Sequence, residues 1–175
     1  HHRTDEVVLL RHGMRFGDGP PEEVANPDTQ DPHMMVQCAG DPSSFWVQHH
    51  AGIFKSVNDG VTWREVKAKP SSFGFGVVVH PDDPDTAWFV PGIKDEKRIP
   101  VDGALVVTRT TDGGKTFKSL TRGLPQKNAY DVVFRHGLAI DETGKRLAMG
   151  STTGNLWVSE NGGDAWKLVS STLPQ

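Results

Sequence analysis

Nearly the same eight residues occur three times in this chain: Ser56-Val57-Asn58-Asp59-Gly60-Val61-Thr62-Trp63, Thr110-Thr111-Asp112-Gly113-Gly114-Lys115-Thr116-Phe117 and Ser159-Glu160-Asn161-Gly162-Gly163-Asp164-Ala165-Trp166. The shared pattern is Ser/Thr-x-Asp/Asn-x-Gly-x-Thr/Ala-aromatic, and Asn58, Asp112 and Asn161 lie 54 and 49 residues apart. A recurrence at that spacing means one supersecondary unit used repeatedly, each copy burying its apolar faces against the next. Every copy sits between two apolar runs, such as Gly52-Ile53-Phe54 before the first and Trp63-Arg64-Glu65-Val66 across its end. Two such runs around a Gly-Asx turn predict a hairpin. The Asx side chain accepts hydrogen bonds from turn N–H groups, and Gly60, Gly114 and Gly163 adopt a backbone conformation costly for other residues. The closing aromatic is expected to pack under the turn.

Around these turns the chain reads as four strands per unit. They are His33–Ala39, Phe45–His49, Gly52–Lys55 and Thr62–Lys67; Gly74–His80, Thr86–Pro91, Ala104–Arg109 and Thr116–Thr121; and Tyr130–Ile140, Arg146–Ser151, Asn155–Ser159 and Ala165–Ser170. No segment carries sustained helical periodicity. Four antiparallel strands per unit make a β-propeller blade, so the expected class is all-β, with three complete blades over residues 32–175. Asp5 lies 53 residues before Asn58, and residues 1–31 read as a decayed blade followed by a Pro-, Gly- and acid-rich connection from Gly17. Propellers close with 4–8 blades. Three blades ending at Leu173-Pro174-Gln175, where another inner strand is due, are expected to belong to a larger ring, completed by further blades or another copy.

The octapeptide resembles an Asp-box, or BNR repeat. Longer runs extend the resemblance: Phe45-Trp46-Val47-Gln48-His49-His50-Ala51-Gly52-Ile53-Phe54-Lys55-Ser56, Ser72-Phe73-Gly74-Phe75-Gly76-Val77-Val78-Val79-His80-Pro81, Pro100-Val101-Asp102-Gly103-Ala104-Leu105-Val106-Val107-Thr108-Arg109 and Met149-Gly150-Ser151-Thr152-Thr153-Gly154. Together they are similar to the C-terminal half of bacterial WD40/YVTN/BNR-like repeat proteins, often labelled sialidases or glycosyl hydrolases. The resemblance runs from about Asp31 onward and implies a ring larger than this chain.

Sialidases bind a substrate carboxylate with three arginines, a task suited to paired guanidinium donors. They add an Asp acid/base and a Tyr nucleophile assisted by Glu. Against that set the chain offers Arg98-Ile99-Pro100, which resembles an Arg-Ile-Pro motif but follows an octapeptide instead of preceding the first. It also offers Tyr130, its single tyrosine, and Asp131 as an acid or base. A loop before proline for Arg98 and packing for Tyr130 are the plainer readings. His80, Lys94, Asp95, Arg98, Asp131, Arg135 and His136 form a polar set near inner strands, from which a ligand pocket is drawn with His80, Lys94, Arg135 and His136. The structural set is Ser56, Asn58, Gly60, Thr62, Trp63, Thr110, Asp112, Gly114, Thr116, Phe117, Ser159, Asn161, Gly163 and Trp166; the box acids Asp59, Asp112 and Asp164 belong at the blade periphery, remote from catalysis.

His33, Cys38, His49, His50 and His80 are metal-ligating residue types. Adjacent strand residues point to opposite faces, so His49 and His50 do not share an ion. Neither His-x-His nor Cys-x-x-Cys spacing occurs, so no metal ligands and no cofactor are assigned, and a metal site is expected to need residues from several blades. Net charge of −3 and a pI near 6.2 give no electrostatic basis for nucleic-acid binding. A mean hydropathy of −0.46 without a long apolar run speaks against membrane insertion. One cysteine and no signal pattern favour a cytoplasmic setting. These readings lead to a platform binding carbohydrate or protein, with a sialidase-like hydrolase, completed by missing blades, as the alternative.

Overall fold

A computed structural model describes residues 31–174. Twelve strands form three four-stranded antiparallel sheets, each a meander in chain order. The first contains β1 (Pro32–Gln37), β2 (Phe45–His49), β3 (Gly52–Ser56) and β4 (Arg64–Val66). The second contains β5 (Gly74–Val79), β6 (Ala87–Pro91), β7 (Val107–Thr110) and β8 (Lys118–Leu120). The third contains β9 (Leu138–Ile140), β10 (Leu147–Gly150), β11 (Leu156–Ser159) and β12 (Lys167–Ser170). The first strands lie together, β1 against β5 and β5 against β9, so they are the inner strands of three β-propeller blades. The proposed unit at Asp5 lies outside the described residues.

The period-2 alternation of strands sends each blade's two faces to two neighbours. Trp46, Ile53 and Val66 of the first blade meet Val77, Val79, Ala87 and Phe89 of the second. The second blade's other face gives Val78, Trp88, Val90, Val107 and Leu120 to Leu138, Leu147, Met149, Trp157 and Trp166 of the third. Strands buried on both faces read as continuous apolar runs, as β5 and β6 do. Among the described residues, the third blade packs against a neighbouring blade on one face only. Leu138, Leu147, Met149 and Trp157 are buried, whereas Ala148, Leu156 and Val158 on the reverse are half-buried and Ala139 is exposed.

The three octapeptides share one hydrogen-bond plan. The first hydroxyl accepts from the glycine N–H, at 3.0 Å for Ser56–Gly60, 2.8 Å for Thr110–Gly114 and 2.9 Å for Ser159–Gly163. It donates to the Asx side chain at 3.1, 2.9 and 2.9 Å. That Asx oxygen accepts the N–H of Thr62, Thr116 or Ala165 at 3.0, 2.9 and 2.9 Å. The fourth-position N–H of each turn reaches back to its own blade's first connection: Asp59 to Ser43 O, Gly113 to Asp85 O and Gly162 to Lys145 O. The turn also docks blades. A Cβ on Gly114 (φ +87°) would lie 2.4 Å from Val66 Cγ1 of the preceding blade, and one on Gly163 (φ +89°) 2.8 Å from Leu120 Cδ1. The carbonyl of Gly113 accepts from Arg64 at 2.6 Å, and that of Gly162 from both Arg109 and Trp88 at 2.8 Å.

The closing aromatics are inward, with Trp63 6% and Trp166 5% exposed and Phe117 partly buried. The outer strands start later than expected, because Thr62 and Thr116 give their N–H groups to the box Asx instead of a ladder. The largest correction concerns Tyr130–Ile140. Only Leu138–Ile140 is strand; a short 3-10 turn, Arg135–Gly137, precedes it, and Asp131 is engaged by side chains rather than by a sheet.

Candidate functional site

The starts of the inner strands and the β2–β3 and β6–β7 connections meet at one end of the blades. Several rings gather there. His33 stacks on Phe75 with centroids 4.6 Å apart, Phe75 meets Phe134 at 4.7 Å, and Phe73 meets Phe75 at 5.4 Å. His50 stands edge-on to His33 at 5.8 Å. Arg98 places its guanidinium carbon 5.4 Å from the Phe75 centroid, a cation–π arrangement. Arg135 donates from Nε to the His33 carbonyl at 2.9 Å, joining the third blade to the first across the axis. Phe75 is buried, Phe73 half-buried, and Phe134 42% exposed, so part of the patch faces solvent.

Backbone economy explains the gathering. Gly74 follows Phe73 because a Cβ there would come within 2.6 Å of the Val90 carbonyl, and Gly76 is 3.2 Å from the Arg135 carbonyl by the same construction. These close approaches let β5 tuck between its neighbours while Phe73 and Phe75 carry the bulk. Asp31 precedes β1 and His50 follows β2, and the antiparallel register that pairs Pro32 with His49 sets them side by side. The His50 N–H donates to the Asp31 carbonyl at 3.0 Å. Buried His33 shares a hydrogen between Nδ1 and the Gly74 carbonyl at 2.6 Å.

The residues proposed from sequence divide. Arg98 and Asp131 line one small recess with Phe75, Ile99 and Val133. Arg98 bonds to Asp95 at 2.5 Å within a tight loop closed by the Lys94–Lys97 bridge. Asp131, 6% exposed, accepts from Ser151 at 2.7 Å, from Asn155 at 2.8 Å and from Thr153, all in the β10–β11 connection. That oxygen is consumed in holding a turn. Tyr130 is 63% exposed and lies outside any strand. Lys94 projects outward with Glu96 at 3.5 Å, and His136 is exposed on the 3-10 turn. His80 is not part of the patch: it follows the far end of β5, roughly 20 Å from the end bearing Gly74. There it stacks near Trp88, accepts the Asp82 N–H at 3.1 Å and presses on Gly144. The four-residue pocket drawn from sequence therefore does not assemble.

Among the box acids, hydrogen bonds from Thr116, side chain and backbone, hold the Asp112 carboxyl far below the usual carboxylate range. Asp164 pairs with Arg109 of the preceding blade at 3.1 Å. The Lys55–Asp85 pair and Arg64 line a peripheral cleft of about 370 Å³ beside the second box. Sequence reading missed Phe73, Phe75, Phe134 and the pairing of Asp31 with His50. The register of the first hairpin held the signal, since extending its pairing by one residue brings position 31 to position 50.

No protein-family model and no curated protein sequence matches the chain. Among solved structures it is similar to an ancestral GH74 enzyme, with TM-score 0.60 and 16% identity over 79% of this chain and 18% of that one. The GH74 xyloglucanase from Xanthomonas campestris gives TM-score 0.59 and 16% identity over 85% of this chain and 24% of that one. YCF48 bound to D1 peptide gives 0.52 and 13% over 80% and 44%. All are β-propeller proteins, and at these identities they establish the fold. This chain spans less than a quarter of either hydrolase and under half of YCF48.

Proposed function

We propose that this chain supplies blades of a BNR/Asp-box propeller whose axial end, around Phe73, Phe75, Phe134 and Arg98, binds a partner protein segment or a carbohydrate without turning it over. The carrying observation is the contrast at that end: partly exposed rings beside a guanidinium, with Oδ1 of the nearby acid Asp131 held by three donors from a single turn. Stacked rings with a cation suit ring faces of sugars or aromatic and apolar side chains. A general acid or base needs a lone pair or proton open to substrate, and Oδ1 of Asp131 is committed to the turn of residues 151–155. YCF48, a propeller held with a peptide, is a precedent for the partner reading on a similar fold. Further blades or a second copy would cover the half-exposed face of the third blade.

The test pairs binding with turnover. Phe134→Ala and Arg98→Ala should each weaken capture of peptide-library or oligosaccharide-array ligands about tenfold, the equivalent of ~1.4 kcal/mol. Asp131→Asn should leave binding near wild type. Hydrolysis of a sialoside or β-glucan by the complete ring, abolished by Tyr130→Phe or Asp131→Asn, would replace this reading with the hydrolase.

A further inference from the structure

We infer that Asp31, His33 and His50 form a site for one divalent zinc-class cation at the axial end of the first blade. His33 Nε2 and His50 Nδ1 lie 3.7 and 3.8 Å from the same carboxylate oxygen, Asp31 Oδ2. All three atoms fall within 4.8 Å of one another. Zinc bonds of about 2.0–2.2 Å to nitrogen and oxygen set ligand atoms about 3.3–3.6 Å apart in a tetrahedron. Closing the site therefore asks for shifts of a few tenths of an ångström to just over one. Asp31 and His50, with side chains 61% and 41% exposed, supply that movement, while His33 at 3% is the fixed ligand.

Two features distinguish the cluster from a chance surface group. First, His33 holds the Gly74 carbonyl at 2.6 Å through Nδ1, which leaves Nε2 as the lone-pair nitrogen directed at Asp31. A ligating histidine oriented by a backbone carbonyl on its other nitrogen is the usual outer-shell arrangement of a metal site. Second, that Nε2 makes no hydrogen bond among the described residues although its side chain is almost wholly buried; 3.7 Å to Asp31 is too long for one. An imidazole nitrogen on a side chain held this firmly, grouped with two further ligand atoms of the correct type, has a ready use for a cation. Two imidazoles and a carboxylate favour zinc over calcium or magnesium, which take oxygen ligands. Phe73 flanks the cluster, its ring 5.6 Å from His33 and 6.0 Å from His50. The site is built within one blade, against the expectation that several would be needed. It does not depend on the platform reading, because the ion is tested alone.

The experiment is calorimetric titration of the full chain with Zn²⁺ alone, alongside nitrogen-15 spectra of the histidine rings. One ion per chain is expected, with Nε2 of His33 and Nδ1 of His50 shifting as ligands. Asp31→Asn and His50→Ala, both at exposed side chains, should each weaken binding at least tenfold, since even loss of an outer-shell partner costs that much. His1→Ala with His2→Ala is the control and should leave the ion bound. No uptake, uptake that survives Asp31→Asn and His50→Ala, uptake lost in the His1/His2 control, or ring shifts confined to other histidines would overturn the site and mark the trio as an ordinary ion-paired cluster.

Discussion

Asn58, Asp112 and Asn161 do the same mechanical task with two different chemistries. Each side-chain oxygen closes its turn by accepting at least one hydroxyl and at least one backbone N–H. Asn161→Ala removes two such bonds and should cost about 1–2 kcal/mol in urea unfolding, at roughly 1 kcal/mol per bond. Only Asp112 adds a charge. Its folded pKa is depressed below the ordinary carboxylate value near 3.9, so its stabilising effect is complete above that pH and is lost as pH falls toward the lowered pKa. Asp112→Asn, copying the other two turns, should leave stability at pH 7 nearly unchanged and shallow the acid unfolding curve below about pH 4. An unchanged acid limb would mean that the Thr116 bonds are not made in solution. Asp131 illustrates the opposite lesson. Its type and position suggested proton chemistry, yet three donors from residues 151–155 use it as a clasp.

At the level of strands and blades, the turn glycines matter for docking as much as for hairpin geometry. Gly163→Ala combines a positive φ with a Cβ 2.8 Å from Leu120 of the preceding blade, so it should destabilise by more than ~1 kcal/mol. Gly60→Ala meets only Trp63, at 3.5 Å, and should cost less; equal losses in thermal unfolding would remove the docking role. These elements show what the sequence made legible. Hairpins around the octapeptides, the apolar runs of β2, β5 and β6, and the grouping into three sheets follow from local residue patterns. Tyr130–Ile140 misled because Val132, Val133 and Phe134 look strand-like, while side-chain demands on Asp131 and a 3-10 turn interrupt the ladder. The ring cluster and the Asp31–His33–His50 trio were harder to see. They depend on which strand ends coincide in space, and period-2 patterning says which face a residue takes but not which end of the axis it shares.

For the whole molecule, the third blade decides the architecture. Its inner face is a packed core with Trp157 2% and Met149 0% exposed, whereas Ala148, Leu156 and Val158 on the other side are half-buried and Ala139 is open. Sheets in a propeller are covered on both faces, as β5 and β6 are here. The uncovered face is the physical mark of a ring that continues, and it accords with the larger propellers this chain resembles. The central claim is that this face is an interface for another blade. It is tested most directly by the solution mass of the 19.2 kDa chain from light scattering across a concentration series. The account predicts association into species heavier than the monomer, reversed to monomer by Val158→Lys. A stable, monodisperse monomer at all concentrations would contradict it.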